Sequence, residues 1–176
     1  MNFSFYMVDV EYCSFLRKTD PRVPYNMGVK STRPFVGIVF SVGEFHYYAP
    51  LTSPKPKHLW MKNQIDFLKI NNGLWGAINF NNMIPVPLFC LKKVEIRILD
   101  SDSKQDIDYK NLLSNQLSWC NANKDVVLKQ AEKLYQTITQ GTNREALVER
   151  CCNFRLNEQQ CVIYEKFYWP SGCHKH

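Results

Sequence analysis

The 176-residue sequence lacks several patterns that would place it in a common class of proteins. It has no C-x-x-C pair, which disfavours a zinc ribbon and a thioredoxin-like site. Its seven glycines are too scattered to form a phosphate-binding or dinucleotide-binding loop. No apolar run reaches the roughly 18 residues that a membrane span needs, and the N-terminus lacks the basic start of a secretory signal. We therefore expect a cytoplasmic protein with no membrane segment.

The sequence also lacks histidines at the spacing of metal ligands and an even number of cysteines. His46 and His58 do not lie at the spacing of metal ligands, so we expect neither a metal ion nor another cofactor. The cysteines are odd in number, and free thiols in a reducing compartment are their simplest interpretation. They are Cys13, Cys90, Cys120, Cys151, Cys152, Cys161 and Cys173.

What the sequence does contain is enough apolar chain for one sizeable core. Hydrophobic residues make up 45% and aromatic residues 14% of the chain. No low-complexity linker or repeat divides it, so we expect a single domain over residues 1–176. The formal net charge of +6 suits a polyanionic partner such as RNA, DNA or an anionic membrane. Many proteins without such a partner carry a similar charge.

Hydrophobic periodicity predicts strands in the first half of the chain and helices in the second. Residues 62–70 fit either a strand or a helix. The predicted strands cover 3–8, 34–42, 44–51, 74–80, 83–86, 93–99 and a final stretch at 164–169. The predicted helices cover 10–18, 106–121, 123–141 and 144–151. The pattern indicates an α+β fold, a twisted and mostly antiparallel sheet flanked by helices, with a helical C-terminal half.

The polar loop 52–58 directly follows a predicted strand and has residues suited to a phosphodiester. The hydroxyls of Thr52 and Ser53 can donate to phosphate oxygens, and the ammonium of Lys55 can offset charge that grows during reaction. Lys57 adds a second cation to the same loop. Taken alone, these residues fit an ordinary surface turn equally well, and that is the commoner case.

Other candidates for RNA contacts lie outside this loop, and each also has a purely structural interpretation. Asparagine amides read base edges but are common in turns, and aromatic residues beside lysines suit single-stranded RNA but also build cores. These candidates are Asn79, Asn81, Tyr109, Lys110 and Trp119. Tyr12 is expected on the solvent side of the first helix, where it could contact a phosphate or base. Lys30 and Arg33 could clamp a phosphate from the preceding loop.

Two neighbouring blocks carry the most specific pattern. Residues 34–40 read Pro-Phe-Val-Gly-Ile-Val-Phe, and residues 47–55 read Tyr-Tyr-Ala-Pro-Leu-Thr-Ser-Pro-Lys. Together they resemble the central signature of the ToxN/AbiQ family, the endoribonuclease toxins of type III toxin–antitoxin and abortive-infection systems. Further similarity, in order and spacing, lies at 11–24, 76–86, 109–141 and 152–154, so that the resemblance covers residues 1–154.

The resemblance implies a fold and an activity. The fold would be related to that of the MazF/Kid toxins, a sheet or partial barrel with an added helical side. The activity would be metal-independent RNA cleavage that leaves a 2′,3′-cyclic phosphate and a 5′-hydroxyl. The antitoxin would be a small repeat RNA, folded as a pseudoknot, that the toxin cuts from a longer precursor and then binds. Toxin and RNA units would alternate in a closed ring, and cellular or phage mRNA would be the target.

The resemblance also implies roles for single residues. The 2′-hydroxyl of the substrate is the nucleophile, so the protein has to orient the phosphate and stabilise the charged transition state. Thr52 and Ser53 would contact the phosphate, with Ser53 near the 2′-hydroxyl. Lys55 would stabilise charge or donate a proton, and Tyr12 would position the phosphate or the base.

A second cation would come from Arg33 or Lys30. Some members of the family have lysine at the position of Arg33. Because arginine has no accessible neutral form, it can stabilise charge but cannot act as the general base. The base therefore stays open between a lysine with a depressed pKa and a network of hydroxyl groups.

Two other functions compete with this interpretation. The same basic and aromatic residues could belong to a non-catalytic protein that sequesters a structured RNA, with salt-sensitive binding. A toxin that binds a host factor without any role for RNA is the third possibility.

Overall fold

A computed structural model describes residues 2–24 and 33–168 of the chain. Within these ranges the strands are β1 (Ser4–Val8), β2 (Phe35–Val42), β3 (Phe45–Thr52), β4 (Phe67–Lys69), β5 (Ala77–Asn79), β6 (Ile84–Pro85) and β7 (Leu91–Lys93). The α-helices are α1 (Val10–Arg17), α2 (Pro56–Trp60), α3 (Lys104–Ala122), α4 (Lys124–Thr139), α5 (Glu145–Arg150) and α6 (Phe154–Tyr168). None of these helices is long and apolar enough to cross a membrane.

The strands form one antiparallel sheet. Their order is β4-β5-β3-β2-β1-β7, and β6 pairs with an earlier part of β3. In the described part of the chain the edge strands β4 and β7 do not pair with each other, so the sheet stays open. The predicted α+β fold with an antiparallel sheet and a helical C-terminal half is confirmed.

The hairpin of β2 and β3 lies at the centre of the core. Tyr47 of β3 packs against Tyr135 of α4 and Phe154 of α6, with ring centroids 5.6 and 5.8 Å away. The next residue, Tyr48, meets Tyr6 of β1 edge-on at 5.5 Å, on the other face of the sheet. A Cβ atom on Gly37 of β2 would lie 2.0 Å from the Tyr48 ring, so glycine is required for this packing. Helices α4 and α6 therefore cover one face of β3.

Two predicted strands are wrong. The strand expected at 93–99 ends at Lys93, because after the backbone bond from Val94 N to Phe5 O, at 2.8 Å, the chain leaves the sheet. Apolar and polar residues alternate in this segment as they do in a strand, but none of the described strands pairs with it beyond Lys93. Residues 164–168 of the strand expected at 164–169 belong instead to α6, which buries Phe154, Cys161 and Tyr164 on one face.

Candidate active site

A pocket of about 200 Å³ lies where β3 ends. One wall comes from the chain around β2 and β3, and the other comes from a single stripe of α3. The lining residues are Arg33, Pro34, Leu51, Thr52, Ser53, Lys55, Tyr109, Leu112, Leu113 and Gln116. Five of the residues singled out in the sequence thus line one cavity: Arg33, Thr52, Ser53, Lys55 and Tyr109.

The backbone holds the Thr52–Ser53 segment in place. Thr52 pairs with Ala77 of β5 and is largely buried, whereas Ser53 is exposed. Gly76 has a φ of +91°, and a Cβ atom there would lie 2.0 Å from the Thr52 carbonyl oxygen. Only glycine permits this approach, so the turn before β5 supports the end of β3 from behind.

Lys55 and Arg33 are brought to the pocket by different means. Lys55 is the extended residue immediately before α2, and Pro56 occupies the first turn of that helix, where its missing N–H is not needed. Residues 52–58, expected as a loop, therefore run into a short helix. Arg33 precedes Pro34, whose carbonyl accepts a bond of 2.9 Å from the Leu51 backbone N–H. That bond places the backbone that carries Arg33 beside the end of β3.

The charged side chains that line the pocket are all positive. Among its lining residues in the described part of the chain there are two cations, Arg33 and Lys55, and no carboxylate. The hydroxyl-bearing residues Thr52 and Ser53 line the same pocket. Such a set of two hydroxyl donors and two cations fits a phosphate group.

Thr52 and Lys55 also line a second pocket on the other side of the loop. It contains the predicted residues Lys57, Asn79 and Asn81. Asn81 is partly engaged, because its Nδ2 donates to the Arg150 carbonyl at 3.3 Å. The two pockets share Thr52 and Lys55, so they adjoin each other at the end of β3.

An ion pair forms a wall of the second pocket. Arg150 of α5 donates from Nε to Asp66 Oδ2 at 2.6 Å and from Nη2 to Asp66 Oδ1 at 3.1 Å. This bidentate geometry fixes both side chains and leaves Asp66 buried. The carboxylate is therefore compensated and adds little net negative charge to the site.

His58, for which we expected no role, also lines the second pocket. It is only 2% exposed, its ring meets Phe67 edge-on at 5.6 Å, and its Nδ1 has no partner among the described residues. Burial, together with the nearby ammonium groups of Lys55, Lys57 and Lys69, lowers the pKa of His58 below its ordinary value. The imidazole is therefore neutral at neutral pH.

Tyr12 does not lie where the sequence predicted. Its side chain is completely buried rather than on the solvent side, and its hydroxyl donates to the Pro85 carbonyl at 2.6 Å. Burial raises its pKa well above the usual value. Pro85 pairs with Tyr47, five positions before Thr52 along β3. The aromatic character of Tyr12 serves the core, and the structure does not bring it to the pocket.

Two further predicted RNA contacts, Lys110 and Trp119, do not line the pocket. Lys110 donates from Nζ to Asp102 at 2.6 Å and to the Arg97 carbonyl at 2.9 Å, which uses its charge to hold the segment before α3. Trp119 is half-buried against the core. Lys30 lies outside the described residues.

No described cysteine offers a reactive thiol. All six in the described ranges are free and buried. Burial raises the pKa of Cys13 to about 12, and it has the same effect on Cys120 and Cys161. Nor do His, Cys, Asp and Glu side chains of residues 2–24 and 33–168 form a group of three that could hold a metal ion. Metal independence stays a prediction for experiment.

Gln116 is the residue that sequence reasoning did not single out. It is 2% exposed and occupies a buried position of α3 between Leu113 and Cys120. Its Nε2 donates to the Trp75 carbonyl at 2.6 Å, whereas its Oε1 has no partner in the described part of the chain. An amide among the apolar core positions of an amphipathic helix is the signal that could have identified it.

Comparison with known proteins gives consistent matches. The family model described as toxin ToxN of the type III toxin–antitoxin system matches residues 4–162, which extends the similarity beyond residue 154. A protein of Bacillus thuringiensis subsp. kurstaki named endoribonuclease ToxN is 30% identical over 169 residues, covering 94% of this chain and 86% of its own length.

Two solved structures share the fold over most of the chain. One comes from work on selective toxin inhibition by a non-coding RNA pseudoknot; it has a TM-score of 0.76 and 28% identity, covering 94% of this chain and 99% of the other. The second comes from work on a processed non-coding RNA that regulates a bacterial antiviral system; it has a TM-score of 0.75 and 27% identity, covering 90% and 97%.

Proposed function

This chain belongs to the ToxN family of type III toxin–antitoxin toxins, and from that premise we propose that it is an endoribonuclease with its active site in the pocket at the end of β3. The observation that carries the proposal is the convergence of two hydroxyls and two cations, from Thr52, Ser53, Arg33 and Lys55, in one cavity. The relative named endoribonuclease ToxN supports the activity.

The cleavage step proposed here uses the 2′-hydroxyl of the substrate. The 2′-hydroxyl passes its proton to water at the exposed Ser53 hydroxyl while its O2′ atom attacks phosphorus and the bond from phosphorus to O5′ breaks. The products are a 2′,3′-cyclic phosphate and a 5′-hydroxyl. The reaction needs no metal ion. Thr52 and Ser53 donate hydrogen bonds to the phosphate, while Lys55 and Arg33 offset the charge that grows on it. Lys55 also donates the proton that the departing O5′ requires.

The flanking RNA would occupy both pockets. Tyr109, which is 41% exposed, offers a stacking surface beside the phosphate site. Lys57, Asn79 and Asn81 line the second pocket and would contact the strand on the other side. Tyr12 has no part in this proposal, because it is buried elsewhere.

The partners we propose are RNAs. A repeat RNA antitoxin folded as a pseudoknot would inhibit the toxin, which would cut it from its precursor, and the two would assemble into a closed ring. Cellular or phage mRNA in the cytoplasm would be the target, in a system that defends against phage. The solved relatives studied with a pseudoknot and in an antiviral system support this part of the proposal.

The test compares two serine variants on one RNA substrate. Ser53→Ala removes a hydroxyl from the pocket, whereas Ser118→Ala changes an exposed serine of α3 outside it. We expect Ser53→Ala to abolish most cleavage and Ser118→Ala to leave it intact. If the wild-type protein binds RNA but leaves its length unchanged, the protein is a non-catalytic RNA-binding module and the proposal is wrong.

A further inference from the structure

We propose that Gln116 reads a nucleobase in the active-site pocket, by accepting a hydrogen bond at Oε1 from an exocyclic amino group. This inference rests on the proposed function, since it concerns the nucleotide that the phosphate site would hold next to the cut. It identifies a specificity residue for that reaction.

The pocket wall supplied by α3 has the shape and chemistry of a base-binding surface. Tyr109, Leu112, Leu113 and Gln116 occupy positions i, i+3, i+4 and i+7 of α3, so they form one stripe of the helix. The stripe presents an aromatic ring, two apolar side chains and one amide. The opposite wall carries Ser53 and the cations. A nucleotide therefore fits with its phosphate on the polar wall and its base against α3.

The hydrogen bond from Gln116 Nε2 to the Trp75 carbonyl fixes the orientation of the Gln116 amide group. The Trp75 carbonyl can only accept, so the amide nitrogen must face it, at the observed 2.6 Å. The oxygen is then the free end, and it is buried without a partner among the described residues. Leaving a buried acceptor unpaired is unfavourable for folding, which is the expected situation at a site that awaits a donor from a ligand.

The anchor of this amide is part of the active-site scaffold. Trp75 immediately precedes Gly76, which packs against the Thr52 carbonyl. The base-reading amide and the phosphate-binding segment are therefore supported by the same turn. That arrangement fixes the position of the base relative to the reacting phosphate.

A lone acceptor selects among the bases. Adenine, cytosine and guanine each carry an exocyclic amino group that can donate to it. Uracil has no amino group, and its single N–H lies between two carbonyl oxygens. These oxygens would lie close to the Gln116 oxygen, which repels them, and to the apolar leucines, which offer them no hydrogen bond. We therefore expect discrimination against uracil at the position that occupies this pocket.

The experiment measures cleavage of an RNA oligonucleotide pool that is randomised on both sides of the cut. The wild-type protein should disfavour uracil at one adjacent position by at least about fivefold. Gln116→Met, which keeps the size but removes the acceptor, should flatten the preference at that position alone. The matched control is Gln130→Met, since the Gln130 amide also donates to a backbone carbonyl, that of Gln64 at 2.7 Å, outside the pocket. This control should keep the preference.

A second measurement does not depend on the variant folding. Synthetic RNA in which the preferred base lacks its amino group, such as purine riboside in place of adenosine, should be cut at least about fivefold more slowly by the wild-type protein. If deleting amino groups next to the cut changes nothing, or Gln116→Met keeps the preference, this inference is overturned. If the wild-type protein cuts no RNA at all, it is the proposed function that fails.

Discussion

Among the described residues, Lys55 is the only charged side chain that lines both pockets. We predict that Lys55→Met lowers the rate of RNA cleavage by about 100- to 1000-fold, because the transition state loses a charge partner and a proton donor. Single-turnover kinetics with saturating protein would measure it. Lys62→Met, an exposed lysine outside both pockets, is the control. A loss confined to RNA affinity, with an unchanged rate at saturation, would contradict the role.

His58 makes a prediction about stability against pH. Its pKa is lowered in the folded protein, so the unfolded chain binds the proton more tightly. The stabilisation is complete above the ordinary imidazole pKa of about 6.5 and is lost as the pH falls through the lower folded value. We expect the stability difference between the wild type and His58→Gln to shrink between pH 7.5 and 5 in urea unfolding. A difference that stays constant across this range would show that burial of the neutral ring is not the cause.

Residue identities at the site were only partly predictable. Thr52, Ser53 and Lys55 could be identified, because they are contiguous and belong to a specific signature. The position of Tyr12 was predicted wrongly, because the sequence of α1 does not show which of its faces another helix covers. In the structure α6 covers the face that carries Tyr12, through Tyr164. Gln116 was given no role, because its bond to Trp75 joins residues that lie 41 positions apart in the chain.

Gly76 supports the end of β3, and its replacement tests the turn as an element. We predict that Gly76→Ala lowers the free energy of unfolding by about 3 kcal/mol, from the combined strain of a positive φ and a clash with the Thr52 carbonyl. The control is Gly43→Ala, which also has a positive φ but has nothing within 4 Å of the new Cβ. It should cost about 1 kcal/mol.

Cleavage by these two glycine variants separates stability from geometry. At a temperature where both remain folded, Gly76→Ala should lose cleavage because Thr52 and Ser53 shift, whereas Gly43→Ala should cut normally. Equal activity in the two variants would mean that the turn does not set the position of the active-site residues.

Elements with local signals were predicted well, and those that depend on distant partners were not. Strands β1 to β3 and helices α3 and α4 follow from hydrophobic periodicity. The helix α2 was hidden because Ser-Pro-Lys-Pro-Lys resembles a loop, although Pro56 is well suited to a first turn. The segment after Lys93 alternates like a strand, yet Ile98 and Leu99 are left exposed because no strand lies beside them.

Asp20 connects the segment after α1 with the start of α6 through hydrogen bonds. Its completely buried carboxylate accepts bonds from Arg22 Nε at 2.8 Å, from the Asn153 backbone N–H at 2.6 Å and from Asn157 Nδ2 at 3.1 Å. We predict that Asp20→Ala destabilises the protein by about 3 kcal/mol in chemical unfolding, because these donors lose their acceptor. Asp108→Ala, on the exposed side of α3, should stay within about 0.5 kcal/mol of the wild type. Similar values for the two variants would contradict this role of Asp20.

The molecule as a whole combines a helix-backed sheet with a basic pocket at one strand end. The net charge of +6 favours a polyanionic partner in general, whereas the proposed function assigns the placement of the phosphate to the two cations of the pocket. The family could be inferred from two short blocks of sequence, whereas the second pocket and the Gln116 anchor emerge only when distant segments meet.

The most direct test of the account is the chemistry of the ends that the purified protein leaves on RNA in the presence of EDTA. The account predicts continued cleavage, with a 2′,3′-cyclic phosphate on one fragment and a 5′-hydroxyl on the other, detected by mass spectrometry. Cleavage that stops with EDTA, or that leaves a 3′-hydroxyl and a 5′-phosphate, would contradict it.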